Sequence, residues 1–285
     1  MATATYRPPG ARAVLQAVEA LAPAAGKLGH IVYFFGRTLV SMPTTVRRYR
    51  REFMRTLADI TWGNGSVIVG GGTLGVALVL GATAGALIGV EAYNALDLLG
   101  LGPATGLISS FVGTRELAPV MVGLAFTTQA GCRFTAQIGA MRINDEIDAL
   151  DTMGINSVSY LVTTRITAAI VAVIPLFLVC LVAAYLSCQL VVGIASGQAS
   201  GTYMHYFSMF VNAADVIAAT WKAALFVFAS ATIQCYYGYF AAGGPAGVGI
   251  AAGRAMRASI TTIIVLNMLM TMTLWGVDSG ARFGG

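Results

Sequence analysis

Few residues in this chain have the types and spacing to do chemistry. The two histidines, His30 and His205, lie far apart, and neither belongs to a Ser/His/Asp set or to a histidine–acid spacing that suits a metal. Gly247, Gly249 and Gly253 resemble a phosphate loop only superficially. No strand pattern precedes them and no Gly-Lys-Ser or Gly-Lys-Thr is present, so the sequence argues against ATP binding by this chain. Catalysis is not expected, nor is a cofactor or metal held by the chain itself. The chemistry that remains is electrostatic recognition. Asp145, Glu146, Asp148 and Asp151 crowd four carboxylates into seven residues, with Arg142 just ahead of them.

Stepping through that segment, Ile143, Ile147, Leu150 and Met153 recur at three- and four-residue intervals and share one helical face, while the charges fall elsewhere. The spacing predicts an amphipathic helix over residues 142–153. Asn144 is expected to cap its start, Asp145 and Glu146 to complement the positive end of its dipole, and Gly154 to stop it. At roughly 1.5 Å per residue the piece is only ~15 Å long, half a bilayer crossing. A short acidic helix between two membrane-length segments must lie outside the membrane or along its surface. Its charge suggests that a cytosolic partner grips it, although many loops carry a solvated amphipathic connector of the same kind.

The elements that position this segment are apolar. The 285 residues are 57% hydrophobic and 10% charged, with mean hydropathy +0.76, whereas ordinary soluble domains are about 25% charged. An all-α integral membrane protein follows, with crossings expected near residues 66–90, 117–141, 166–194, 216–242 and 258–277. Gly81, Gly85 and Gly89 in the first crossing, and Gly123, Gly131 and Gly139 in the second, lay down small-residue strips for close helix packing. Pro175 is expected to kink the third crossing. The four cysteines show no CxxC pair and imply neither a disulfide framework nor a metal site.

Residues 1–64 form a basic arm with nine of the seventeen Lys and Arg, and within it an amphipathic helix is expected to lie in the headgroup layer. The arm lacks a signal peptide, and it reads as membrane-surface attraction rather than nucleic-acid binding. Residues 65–278 hold the crossings. With the N-terminus cytoplasmic and the C-terminus periplasmic, thirteen cations fall inside, among them Arg142, Arg165, Arg254 and Arg257. Arg115, Lys222 and Arg282 fall outside, a strong positive-inside bias that places the acidic helix in the cytosol.

At Arg115-Glu-Leu-Ala-Pro119, Ala130-Gly131 to Gly139, Asp145-Glu-Ile-Asp-Ala-Leu150 with Met153-Gly154, and Val162-Thr-Thr-Arg165, the sequence resembles the MlaE/YrbE permeases. These are the membrane halves of lipid-transporting ABC systems that work with MCE-domain proteins. Gly244-Pro-Ala-Gly-Val-Gly249 resembles the family's loop before the last helix, and the likeness runs in order over residues 30–277. The basic N-terminus looks most like the actinobacterial YrbE branch, in which two different permeases pair.

The resemblance implies a multi-pass protein of the inner membrane whose partners are a second YrbE-type permease, a cytosolic ABC ATPase and periplasmic MCE proteins. Its substrate would be a lipid or fatty acid. Residues 142–153 would then be the coupling helix, with Arg142, Asp145, Glu146, Asp148 and Asp151 on its charged face and Ile147 and Leu150 inserting into the ATPase. The family commonly carries ionisable groups where this chain has Gln129, Gln137 and Asn267, while Arg133 is an added intramembrane cation. Arg133 is read as holding an anionic headgroup, pairing with a partner's carboxylate, or snorkelling; Glu91 faces either the lipid cavity or the headgroups. The rival readings are an ion-coupled secondary transporter, disfavoured by the loss of intramembrane acids, and a non-transporting scaffold.

Overall fold

The computed structural model describes residues 29–30, 33–43, 45, 47–63, 72–197 and 200–276. The arm through residue 28 with Arg7, Arg12 and Lys27, residues 66–71 of the expected first crossing, and the tail from 277 with Arg282 lie outside the described residues. Every regular element among the described residues is helical. Long uncharged runs in hydrocarbon must satisfy their backbone groups internally, and a helix does so within a single segment.

Residues 33–43 are helical and precede α1 (Arg50–Thr61). The first crossing is α2 (Gly72–Asp97). The second is assembled end to end: a 3-10 turn (Gly102–Ala104), α3 (Thr105–Val112), a π turn (Gly113–Leu117), α4 (Ala118–Phe126), a second π turn (Thr127–Gly131) and α5 (Cys132–Ile143). The short α6 (Glu146–Thr152) follows. A third π turn (Val158–Thr163) leads into α7 (Thr164–Ser196), which runs through Pro175 without ending. Then come α8 (Ser200–Phe210), α9 (Ala213–Tyr239) and α10 (Gly244–Trp275). Five segments are long and apolar enough to cross a membrane, so the chain is an all-α, multi-pass membrane protein.

The second and the last crossings start well before hydropathy places them. The second begins at Gly102 rather than Leu117, because Arg115 and Glu116 find partners inside the bundle and do not end the apolar segment. The last begins at Gly244 rather than Ala258. Gly243 and Gly244 turn the chain at φ +90° and +70°, and Pro245 opens the helix, so the Gly244 to Gly249 run is helix rather than loop. Arg115, Arg142, Arg165, Lys222, Arg254 and Arg257 all lie within the long helical segments, and the charge tally that placed them on one side or the other loses those members.

The most extensive helix pair is α2 with α7. A Cβ at Gly85 would stand 1.9 Å from the Ala184 carbonyl oxygen, and one at Gly81 2.5 Å from that of Cys180, so these helices touch backbone to backbone. The second glycine strip serves another seam: Gly123 faces Ile263, Gly131 faces Gln234 and Gly139 faces Val248, on α9 and α10. Phe126, Ile138, Ile166, Leu176 and Phe177 are buried between the seams. On α8, Tyr203 is buried and donates to Ser109 Oγ on α3 at 2.9 Å, and burial pushes its phenol well above the ordinary range. The aromatic residues from Tyr236 to Phe240, which could pass for an interfacial belt, pack on His30 and Phe34 of the N-terminal helical stretch.

Candidate functional site

The acidic helix is shorter than its sequence pattern. Arg142 and Ile143 end α5, and Asn144 closes that helix instead of capping the next one. Asp145 then takes a left-handed conformation at φ 56°, tolerable for Asp, which lets α6 leave at a new angle. Gly154 (φ +76°) stops α6, with its N–H bonded to the Asp151 carbonyl at 3.0 Å. Ile147 is fully buried in the chain's own core and is not available to insert into a partner, while Leu150 is partly buried against that core. The apolar face of α6 instead clamps it to the bundle. Met153, at 66% exposure, is the large apolar side chain this segment leaves outside.

The charged face is open. Asp145, Glu146, Asp148 and Asp151 are exposed. Arg142 Nη1 bonds Asp148 Oδ1 at 2.7 Å, and Asp151 Oδ1 accepts from the Ser157 N–H at 3.1 Å. Four carboxylates against one guanidinium leave three negative charges in excess on a surface one short helix wide. An exposed pair such as Arg142–Asp148 contributes little to stability. The helix is thus held by Ile147 while its charged side chains face outward.

The opposite end of the second crossing carries a different cluster, which sequence reasoning missed. Lys222 on α9 is fully buried, and its ammonium has three acceptors: Glu116 Oε1 at 3.1 Å, Thr271 Oγ1 at 2.8 Å and the Arg115 carbonyl at 2.8 Å. Pro119 lacks the N–H that would ordinarily bond that carbonyl, and the π turn at Gly113–Leu117 aims it at Lys222. Asn267 Nδ2 donates to Glu116 Oε2 at 2.8 Å and Thr271 to Glu116 Oε1 at 2.6 Å. Beside them Arg115 pairs with Asp215 at 2.8 Å, and Trp275 Nε1 donates to the same carboxylate at 2.8 Å. Asp215 sits in the first turn of α9, where the helix dipole favours a carboxylate. A cavity of 300 Å³ opens against Arg115, Glu116 and Thr271.

The five polar residues read as one intramembrane set do not assemble. Asn267 belongs to the Glu116 cluster. Arg133 Nη2 donates to the Asp59 carbonyl at the end of α1 at 2.8 Å, and Gln137 accepts from Arg165 at 3.4 Å. Gln129 and Glu91 are exposed elsewhere. Nor has the membrane region lost its acids, since Glu116 lies within the second crossing. The signal that could have found it was Pro119 four residues after Arg115. Lys222, 106 residues after Glu116, had no local signal at all.

Comparison with known proteins agrees with this architecture. The family described as permease MlaE matches residues 64–273. A probable ABC transporter permease of Rickettsia bellii is 32% identical over 187 residues, 66% of this chain and 72% of that protein. One from Synechocystis is 27% identical over 217 residues, 73% and 79% of the two chains. The Arabidopsis protein trigalactosyldiacylglycerol 1, chloroplastic, is 25% identical over 199 residues, 70% of this chain and 57% of that one. With five crossings and a family match over 64–273, the chain belongs to the MlaE permease family.

Proposed function

We propose that the chain is the permease subunit of an ABC-type lipid transporter, driven by a separate cytosolic ATPase that docks on α6. The observation that carries this reading is the division of labour on that helix: Ile147 is locked into the bundle while Glu146, Asp148 and Met153 face outward. A surface so anchored can transmit a push to the crossings on either side of it. Basic groups on the ATPase would meet the acids, and Met153 would supply the apolar contact. The relatives' names support the class, and that of the Arabidopsis relative contains a diacyl lipid.

Within this reading the N-terminus and α6 face the cytosol across the inner membrane, and the C-terminus is periplasmic. A second permease, a different paralogue as in the actinobacterial branch, completes the lipid cavity. Periplasmic MCE proteins receive or deliver the lipid or fatty acid, with import as the direction. An apolar groove of 600 Å³ between α2 and α7, walled by Leu78, Leu178, Val182 and Leu186, suits acyl chains. Nucleotide chemistry stays in the ATPase, so no cofactor is assigned to this chain.

The test is charge reversal at Glu146→Lys with Asp148→Lys, both exposed and in ordinary helical backbone. The variant should reach the membrane in normal amount and lose at least tenfold in lipid-stimulated ATPase activity of the reconstituted complex, about the cost of two charge-assisted contacts. Unchanged stimulation would rule out α6 as the docking surface.

A further inference from the structure

A second polar site lies at the α6 end of the bundle, where α1 crosses α5 and the start of α7. A cleft of 380 Å³ there is lined by three guanidinium groups from three different helices: Arg55 of α1, Arg133 of α5 and Arg165 of α7. Their contacts within the chain leave most of their N–H donors unused. Arg133 spends one on the Asp59 carbonyl, and Arg165 one on the Leu161 carbonyl at 3.0 Å and one on Gln137. The Arg55 side chain is exposed and makes no hydrogen bond or ion pair among the described residues. Glu52 and Asp59 also line the cleft, yet neither forms an ion pair with the three arginines. Three cations against two carboxylates leave one positive charge in excess.

Planar guanidinium forks match the oxygens of a phosphate better than a point charge does, and three of them converging on one cleft, with Glu52 and Asp59 near but not ion-paired to them, leave free donors that such an oxyanion can take. The position narrows the source. α1 is amphipathic, with Arg50, Arg51 and Arg55 exposed and Thr56 and Ile60 buried against the crossings, so the cleft opens beside a helix suited to the headgroup layer. Ile60, Phe134 and Met141 give it an apolar wall for the glycerol end of a lipid, and Glu52 with Asp59 offers acceptors to a headgroup ammonium while opposing a bare multivalent anion. The geometry points to a binding site for the phosphodiester headgroup of a glycerophospholipid, wedged between α1 and the second and third crossings. This site is separate from the α6 surface and does not depend on the docking proposal.

Native mass spectrometry of the purified full chain in detergent tests it, with dioleoylphosphatidylethanolamine as probe and dioleoylglycerol, which has the same chains and no phosphate, as comparison. The expected result is one retained phosphatidylethanolamine, little retained dioleoylglycerol, and no displacement by millimolar inorganic phosphate. Arg55→Gln with Arg165→Gln should weaken retention about tenfold or more. Arg55→Gln alone removes a side chain with no partner to lose, so it should weaken retention severalfold at unchanged melting temperature. Arg48→Gln, the same charge change outside the cleft, should leave retention as it was. Equal retention of dioleoylglycerol, full retention in the arginine variants, or an equal loss in Arg48→Gln would overturn the site. Displacement by inorganic phosphate would overturn the lipid as its source.

Discussion

The two ends of the second crossing treat charge in opposite ways. At one end Arg115, Glu116, Asp215 and Lys222 lie inside the long helices, and each has partners supplied by its own chain. At the other, the acids of α6 stand in the open with a single ion pair among them, Arg142–Asp148. Buried charge must be matched internally or the segment does not stay folded in hydrocarbon. Exposed charge is under no such constraint and is free to serve a surface outside the chain. The contrast separates groups that hold this fold together from groups that are available for recognition, and local charge density alone would rank the two ends alike.

The largest effect should come from breaking the buried end. Lys222→Met leaves Glu116 without its ammonium and should cost about 3–5 kcal/mol, read as a sharp fall in melting temperature in detergent. Adding Glu116→Gln should restore much of that loss, because the uncompensated carboxylate, rather than the missing bridge, is the main cost. If the single variant melts like the parent, the cluster does not hold the helices. Next is the anchor of α6. Ile147→Ala opens a cavity in the core and should cost about 2–4 kcal/mol, whereas Met153→Ala should leave the melting temperature nearly unchanged and weaken association with the ATPase. Equal thermal effects at the two positions would mean that α6 does not present the face described. The smallest effect belongs to Asp148→Asn, which removes an exposed ion pair and should change stability by no more than about 0.5 kcal/mol.

The same contrast explains what the sequence could reveal. Hydropathy located all five crossings, because a run such as residues 66–90 has no soluble alternative. It misplaced the ends wherever a charge or a glycine–proline pair looked like a boundary. Arg115 and Glu116 are tolerated because Asp215 and Lys222 meet them, and those partners are about a hundred residues away. Gly244 and Pro245 read as a loop but start α10, since positive φ at Gly243 and Gly244 makes the turn before the helix begins. On α6 the periodicity caught Ile147 and Leu150 as one face, but Ile143 belongs to α5 and Met153 stands outside. Which way that face turned was a tertiary question, settled by the space the bundle leaves for Ile147. Asn267 and Arg133 stood out singly, but the Glu116 cluster and the arginine cleft they belong to were illegible for one reason: each gathers side chains from three or more helices.

In the proposed function α6 offers its acidic face to a motor in the cytosol. The most direct measurement puts a cysteine at exposed Ala149 and reacts it with a membrane-impermeant maleimide in sealed right-side-out and inside-out vesicles, with and without the co-expressed ATPase. The prediction is labelling only in inside-out vesicles, strongly suppressed when the ATPase is bound. Labelling from the periplasmic side would rule out α6 as the docking helix, as would cytosolic labelling that the bound ATPase leaves undiminished.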